Sequence, residues 1–242
     1  MNRSKKLIIA ILLVILIGLL TIIAGALFLT PNLTEQSKNV LVLASDRGEQ
    51  QNGAIDMAFM VHLENGQIAN YTPVYPGGMT HPSQPEPAET GVGGNLLLHD
   101  SLWYGVKEGM QYASETVEYR TGMHADAVVL VYTDGVDAII DSIRPLKVNG
   151  EVKDLKAEDI VRENDAYNGY PGNENVQGTM SRGDAVMVLV KALAEAAKDP
   201  TKKNTMTQTA IDQYSKGNII VTPEGTFTRL LATKGFESLA GK

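Results

Sequence analysis

Apolar positions along this chain fall into three patterns, and each predicts a different kind of element. The first is an unbroken run, Leu7 to Leu29, with no charge in it and a length of about 20 or more residues, enough to cross a bilayer as a helix. The second is a set of short, wholly apolar, β-branched-rich runs: Val40–Leu43, Ala127–Tyr132 and Ile219–Val221. Such runs predict strands covered on both faces. A longer apolar run from Asp56 to Leu63 predicts a partner strand, and Ile68 to Thr72 a third. The third pattern recurs at helical spacing. Val136, Ile139, Ile140 and Ile143 give a buried stripe to a helix over Asp134–Ile143, with Asp134, Asp137 and Asp141 on its solvated side. Apolar residues from Val186 to Ala197 mark another helix, and helices are also predicted over Asn95–Gly109, Ala113–Arg120 and Thr201–Lys216.

Turn chemistry joins these elements. Asn65-Gly66 after the second strand and Asn149-Gly150 within Lys147–Val152 each predict a tight hairpin. Ser181 supplies an N-cap with Asp184 at the capping-box distance, Asp199-Pro200 ends one helix, and Gly122 and Gly217 are helix stops. Thr222-Pro223 caps a last helix that Gly235 closes. Five prolines and many glycines between Pro73 and Gly94 predict a long loop, and Asn164–Thr179 predicts a second irregular stretch. Strands alternating with helices give an α/β layered domain, with α+β as the alternative, built on a central sheet covered by helices.

The long apolar run Leu7–Leu29 carries the expected compartment. Arg3, Lys5 and Lys6 precede the long apolar run, so residues 1–6 are expected in the cytoplasm, 7–29 in the membrane, 30–38 as a short spacer and 39–242 outside as one domain. A cleaved signal peptide is the competing reading. Its apolar region should be only ~7–15 residues, whereas this run continues past Ala24-Gly25-Ala26, the one candidate cleavage site. The formal net charge is −7; without the three basic residues on the anchor side the remainder carries −10. Such a surface repels nucleic acid, so none is expected as a partner. Cysteine is absent, which excludes disulfides, a thiol nucleophile and cysteine-bound metal. Asn32-Leu33-Thr34 and Asn70-Tyr71-Thr72 are glycosylation sequons.

Candidate chemistry collects where the first strand ends. Polar residues at the C-terminal end of a central strand sit where open α/β sheets bind ligands, and Ser45-Asp46-Arg47-Gly48 stands there, with Asp56 entering the next strand. The same four residues also serve as plain turn chemistry. Arg182 falls in the first turn of its helix, against the helix dipole, which makes it a candidate ligand contact. Trp103 and Tyr104 read as core aromatics, with a sugar platform as the alternative. The four histidines lack metal-ligand spacing, and the phosphate-binding loop and the nucleophile elbow are both missing.

The order of these segments resembles the LytR-CpsA-Psr family. The resemblance runs from Val40-Leu41-Val42-Leu43-Ala44-Ser45-Asp46-Arg47 through Ile55-Asp56-Met57-Ala58-Phe59-Met60-Val61 and Thr116 to Asp126, and ends at Arg182 and Lys191-Ala192-Leu193. Members are extracytoplasmic transferases that move lipid-pyrophosphate-linked glycopolymers onto the cell wall. The resemblance implies that Asp46 and Asp56 hold Mg2+, that Arg47 acts on the pyrophosphate with these two acids in catalysis, and that Arg182 clamps phosphate. Where the family carries Pro-Arg-Asp this chain has Pro73-Val74-Tyr75, so a principal arginine is replaced by Val74, and Tyr75 stands on the substrate side. The family's Arg-x-x-Arg-Gln pattern keeps only Arg182. On this pattern the chain is expected to match unclassified archaeal envelope proteins better than the bacterial enzymes. Two functions follow from the resemblance: a divergent glycopolymer phosphotransferase, or a non-catalytic domain of the same fold that binds envelope glycans or proteins.

Overall fold

A computed structural model describes residues 32–74, 77–166, 180 and 182–230. Among them no helix is long and apolar enough to cross a membrane. The expected anchor 7–29, Tyr75, most of the irregular stretch 164–179, the Ser181 cap and the closing Gly235 lie outside the described residues.

Five strands make one mixed sheet: β1 (Ser37–Asp46), β2 (Ala54–Glu64), β3 (Gln67–Val74), β6 (Ala127–Tyr132) and β9 (Ile219–Thr222), in the order β3-β2-β1-β6-β9. The apolar run at Val40–Leu43 is, as expected, in the middle strand. β1 runs parallel to β6 and antiparallel to β2; β9 is antiparallel to β6. The β2–β3 hairpin turns at Asn65 (φ 50°) and Gly66 (φ 76°), two successive left-handed residues as the Asn-Gly pair predicts.

Alternation along β1 sends Leu41 and Leu43 to one face, where they pack with Met110, Ala113 and Val117 of helix α1 (Val106–Thr121). Val40 goes to the other face and meets Leu33 and Ala127. A separate apolar cluster joins helix α2 (Thr133–Ile143), strand β7 (Leu146–Val148), helix α3 (Ala157–Asn164) and helix α4 (Arg182–Ala196) through Ile140, Ile143, Leu146, Ile160 and Leu189. The Asn149-Gly150 turn pairs β7 with β8 (Glu151–Lys153). Helix α5 (Pro200–Ser215) follows, with Pro200 at its first position and Asp199 capping the amides of Thr201 and Lys202.

Two expectations need correction. The proline-rich stretch Pro73–Gly94 is not one loop: it holds strand β4 (Thr80–Pro85) and a short 3-10 turn, Ala88–Thr90. Proline removes only one donor, and β4 pairs along a single side, with an irregular register, to β5 (Asn95–Leu97). Second, Asn95–Gly109 is not a helix. It begins as β5, tightens into a 3-10 turn at Ser101–Tyr104, and becomes helical only at Val106, because Gly105 at φ 96° takes a backbone conformation that a helix cannot contain. α3 has no counterpart among the predicted elements.

Candidate cation site at the sheet edge

The register of β1 against β2 slips at one point: Ala44 faces Met57 while Ser45 faces Ile55, so Asp56 is an extra residue in β2. Simple alternation would put Asp56 on the same face as Ala58 and Met60, inside the core. The bulge restores Ile55 to that core face instead and leaves Asp56 half-buried at the sheet edge. The side chain that the sequence marked out is therefore aimed by a backbone irregularity.

Two further segments converge on Asp56. After β1, the Asp46 Oδ1 accepts the Gly48 amide at 2.7 Å, a tight side-chain turn that brings Glu49 over the edge. The Ile55 amide donates to the His99 carbonyl at 2.9 Å, which fastens the segment after β5 to the start of β2. Gln50 locks the two together: its Nε2 donates to the same carbonyl at 3.3 Å and its Oε1 accepts the Trp103 indole N–H at 2.7 Å. Glu49, Asp56 and His99 thus present two carboxylates and one imidazole whose donor atoms all lie within 4.8 Å of one another. That donor set fits a divalent cation.

Behind His99 stands a buried acid. Its Nδ1 lies 2.6 Å from the Oδ1 of Asp100, which is 5% exposed, while Nε2 lies 3.7 Å from Glu49. Next to Asp100 is buried Glu86, whose Oε2 accepts the Leu97 amide at 2.7 Å. Burial raises the Glu86 carboxyl above its ordinary value of 4.5; the Leu97 amide opposes that rise and the Asp100 carboxyl adds to it.

Arg47 turns elsewhere. Its guanidinium stacks 3.7 Å from the centre of the Tyr132 ring and donates to the Asn218 Oδ1 at 2.9 Å and the Gly217 carbonyl at 2.7 Å, tying the end of β1 to the start of β9. Tyr132 in turn donates to the Asn52 carbonyl at 3.1 Å. Arg47 thus borders the sheet edge at its β6 side, and Asp56, Glu49 and His99 occupy the β2 side. Arg182 opens α4, which packs on α3 and β7, and its side chain lies outside the described residues. Trp103 and Tyr104 are half-buried, held by Gln50 and by the Pro85 carbonyl. Glu49 and His99 carry no sequence signal. They stand 50 residues apart, and the bonds of Ile55 and Gln50 to the His99 carbonyl make them neighbours.

A family model described as a protein of unknown function, DUF4012, matches residues 35–167, which include β1, β2, the candidate cation site and α1 to α3. The chain belongs to the DUF4012 family. No curated protein matches it. Among solved structures, this DUF4012 chain is similar to protein gbs0355 from Streptococcus agalactiae at 15% identity, with a TM-score of 0.52 over 81% of this chain and 73% of that one. It is also similar to TagV from B. subtilis (15% identity, TM-score 0.49, 81% and 78% covered) and to TagT bound to LI-WTA (18%, 0.45, 83% and 76%). The overlap with gbs0355 establishes a shared fold, a mixed sheet covered by helices, for the DUF4012 chain.

Proposed function

We propose that this protein is a membrane-anchored, extracytoplasmic domain that takes part in cell-envelope glycopolymer attachment, binding a lipid-pyrophosphate-linked glycan through a divalent cation. The observation that carries the proposal is the convergence of Glu49, Asp56 and His99 at the start of β2, with Arg47 at the adjoining end of β1 stacked on Tyr132. A pyrophosphate concentrates negative charge, and a domain of net charge −10 repels it unless a local positive centre intervenes. Glu49, Asp56 and His99 would hold a divalent cation, with Mg2+ the ion expected from the resemblance, and the cation would neutralise the phosphate oxygens. Arg47 is stacked on Tyr132, which orients its guanidinium without an acidic partner among the described residues, and its remaining N–H donors are suited to a phosphate fork. Arg182 is the second arginine of the proposal, and Tyr75 a contact on the glycan side. Anchoring through residues 7–29 and affinity to archaeal envelope proteins rest on the sequence.

One observation favours binding without transfer. Val74, where the resembled family has an arginine, is 3% exposed and packs in the core, so the end of β3 offers no cation at that position. Each charge-assisted contact to phosphate is worth roughly 1.5–3 kcal/mol. The two readings separate on turnover. Incubating the full chain with a short-chain lipid-pyrophosphate disaccharide and a cell-wall acceptor should release polyprenyl phosphate if it is a transferase. Metal-dependent binding without release would assign the domain to glycan capture, and no binding would refute both.

A further inference from the structure

Resting on the reading of Glu49, Asp56 and His99 as a cation site, we infer that the ion held there is a first-row transition-metal ion, ligated through the His99 Nε2. Asp100, backed by Glu86, is the positioning residue that turns this nitrogen toward the ion.

The donor set decides the class of ion. Mg2+ selects an all-oxygen shell and binds through one or two carboxylates and its own waters. An imidazole nitrogen beside two carboxylates suits the first-row transition ions, which accept nitrogen and oxygen together. The donor atoms span up to 4.8 Å, close to twice the ~2.2 Å length of such metal–ligand bonds.

The second observation concerns the ring and lies outside the three ligands. Asp100 is buried, has its Oδ1 2.6 Å from Nδ1, and follows His99 directly in the chain, so the pairing is set by the backbone turn. A carboxylate at this position accepts the Nδ1–H, which fixes the tautomer with its lone pair on Nε2. That nitrogen faces Glu49 at 3.7 Å, longer than a hydrogen bond and suited to two ligands sharing one ion. A carboxylate behind a ligating histidine is a recurrent feature of transition-metal sites, and its loss weakens metal binding by about 10–100-fold. Glu86 completes the arrangement. It is 7% exposed, lies against Asp100, and its Oε1 is buried without a hydrogen-bond partner among the described residues. A structural histidine at a sheet edge needs no such pair of buried acids.

The test uses the full chain in detergent and Mn2+ alone as the probe. Continuous-wave EPR should show saturable binding of one Mn2+ that a tenfold excess of Mg2+ does not displace. Pulsed EPR should show nitrogen modulation from a directly bound imidazole. His99→Gln should abolish the modulation and weaken Mn2+ binding by about 10-fold or more; Asp100→Asn should keep the modulation while weakening binding by about 10–100-fold. If Asp100→Asn does not fold, the modulation in the unaltered chain and its loss in His99→Gln still decide the question. Bound Mn2+ without nitrogen modulation, displacement by equimolar Mg2+, or no saturable binding would each overturn the inference. Lipid pyrophosphate that binds with Mg2+ while nitrogen modulation is absent would overturn the inference and leave the proposed function standing. Nitrogen modulation without pyrophosphate binding would do the reverse.

Discussion

Replacing Gly109 by alanine should destabilise this protein even though it improves a helix. Gly109 lies inside α1, where alanine is favoured over glycine by about 0.8–1.0 kcal/mol. A Cβ built there, however, falls 2.6 Å from the Ser101 carbonyl oxygen and 2.8 Å from the Leu102 Cα. Ordinary contact begins at 3.4 Å, so the 3-10 turn must retreat by about 0.8 Å. Both clashing atoms are backbone, and Leu102 is wholly buried, so no flexible side chain can yield. Overpacking of this kind costs roughly 1–3 kcal/mol. Because it displaces a backbone segment, its upper range applies, and the expected net loss is about 1–2 kcal/mol after the gain in helix propensity. The assay is urea unfolding followed by circular dichroism: the midpoint should fall with the slope unchanged. Ser101 adjoins Asp100 and His99, so the same variant should bind Mn2+ more weakly. A midpoint equal to or above that of the unaltered protein would refute the packing argument.

Other outcomes follow from single contacts. The His81 Nδ1 accepts the Ser83 and Gln84 amides, so its Nε2–H donates to Glu115 at 2.9 Å and, with Gln111, holds that carboxyl below its ordinary 4.5. A lowered carboxyl stabilises the fold above its unfolded value and loses that contribution as pH falls through the folded one. Glu115→Gln should therefore flatten the acid limb of a Tm-versus-pH profile below about pH 4.5; an unchanged limb would contradict the pairing. Glu86 has the opposite sign: its raised carboxyl makes stability decline as pH rises from 4.5 through the folded value, and Glu86→Gln should remove that decline in denaturant titrations. Asp199→Ala, which deletes the cap of α5, should cost about 1 kcal/mol in the same titrations. Arg47→Ala should lower the unfolding midpoint by an amount equivalent to about 1–2 kcal/mol, through loss of the Tyr132 stack and the bonds to Gly217 and Asn218.

The fold was largely legible because strand and turn signals are local. Val40–Leu43 and Ala127–Tyr132 are apolar on both faces and became neighbours in the sheet, and both Asn-Gly pairs turned hairpins. The stretch from Pro73 to Gly109 misled for a physical reason. Proline counts against strands only where both edges are paired, and β4 is paired on one, so Pro82 and Pro85 did not mark a loop. Part of the site was legible too. Asp56 stood out at the entry to β2, yet its direction depends on a bulge that no local pattern announces. Asp46 was marked as a metal-side acid, and its Oδ1 is bound to the Gly48 amide, the turn role equally readable in Ser-Asp-Arg-Gly. His99 and Glu49 stayed hidden because their partnership is purely tertiary, created by the bonds of Ile55 and Gln50 to the distant His99 carbonyl.

The central claim is metal-dependent recognition of a lipid pyrophosphate. It is tested most directly by calorimetric titration of the full chain with a short-chain polyprenyl pyrophosphate, with and without a divalent cation. The account predicts binding heat only when Mn2+ or Mg2+ is present, its loss in Asp56→Asn, and a weakening by roughly 1.5–3 kcal/mol in Arg47→Ala. No heat under either condition, or binding that is unaffected by chelation and by Asp56→Asn, would contradict it.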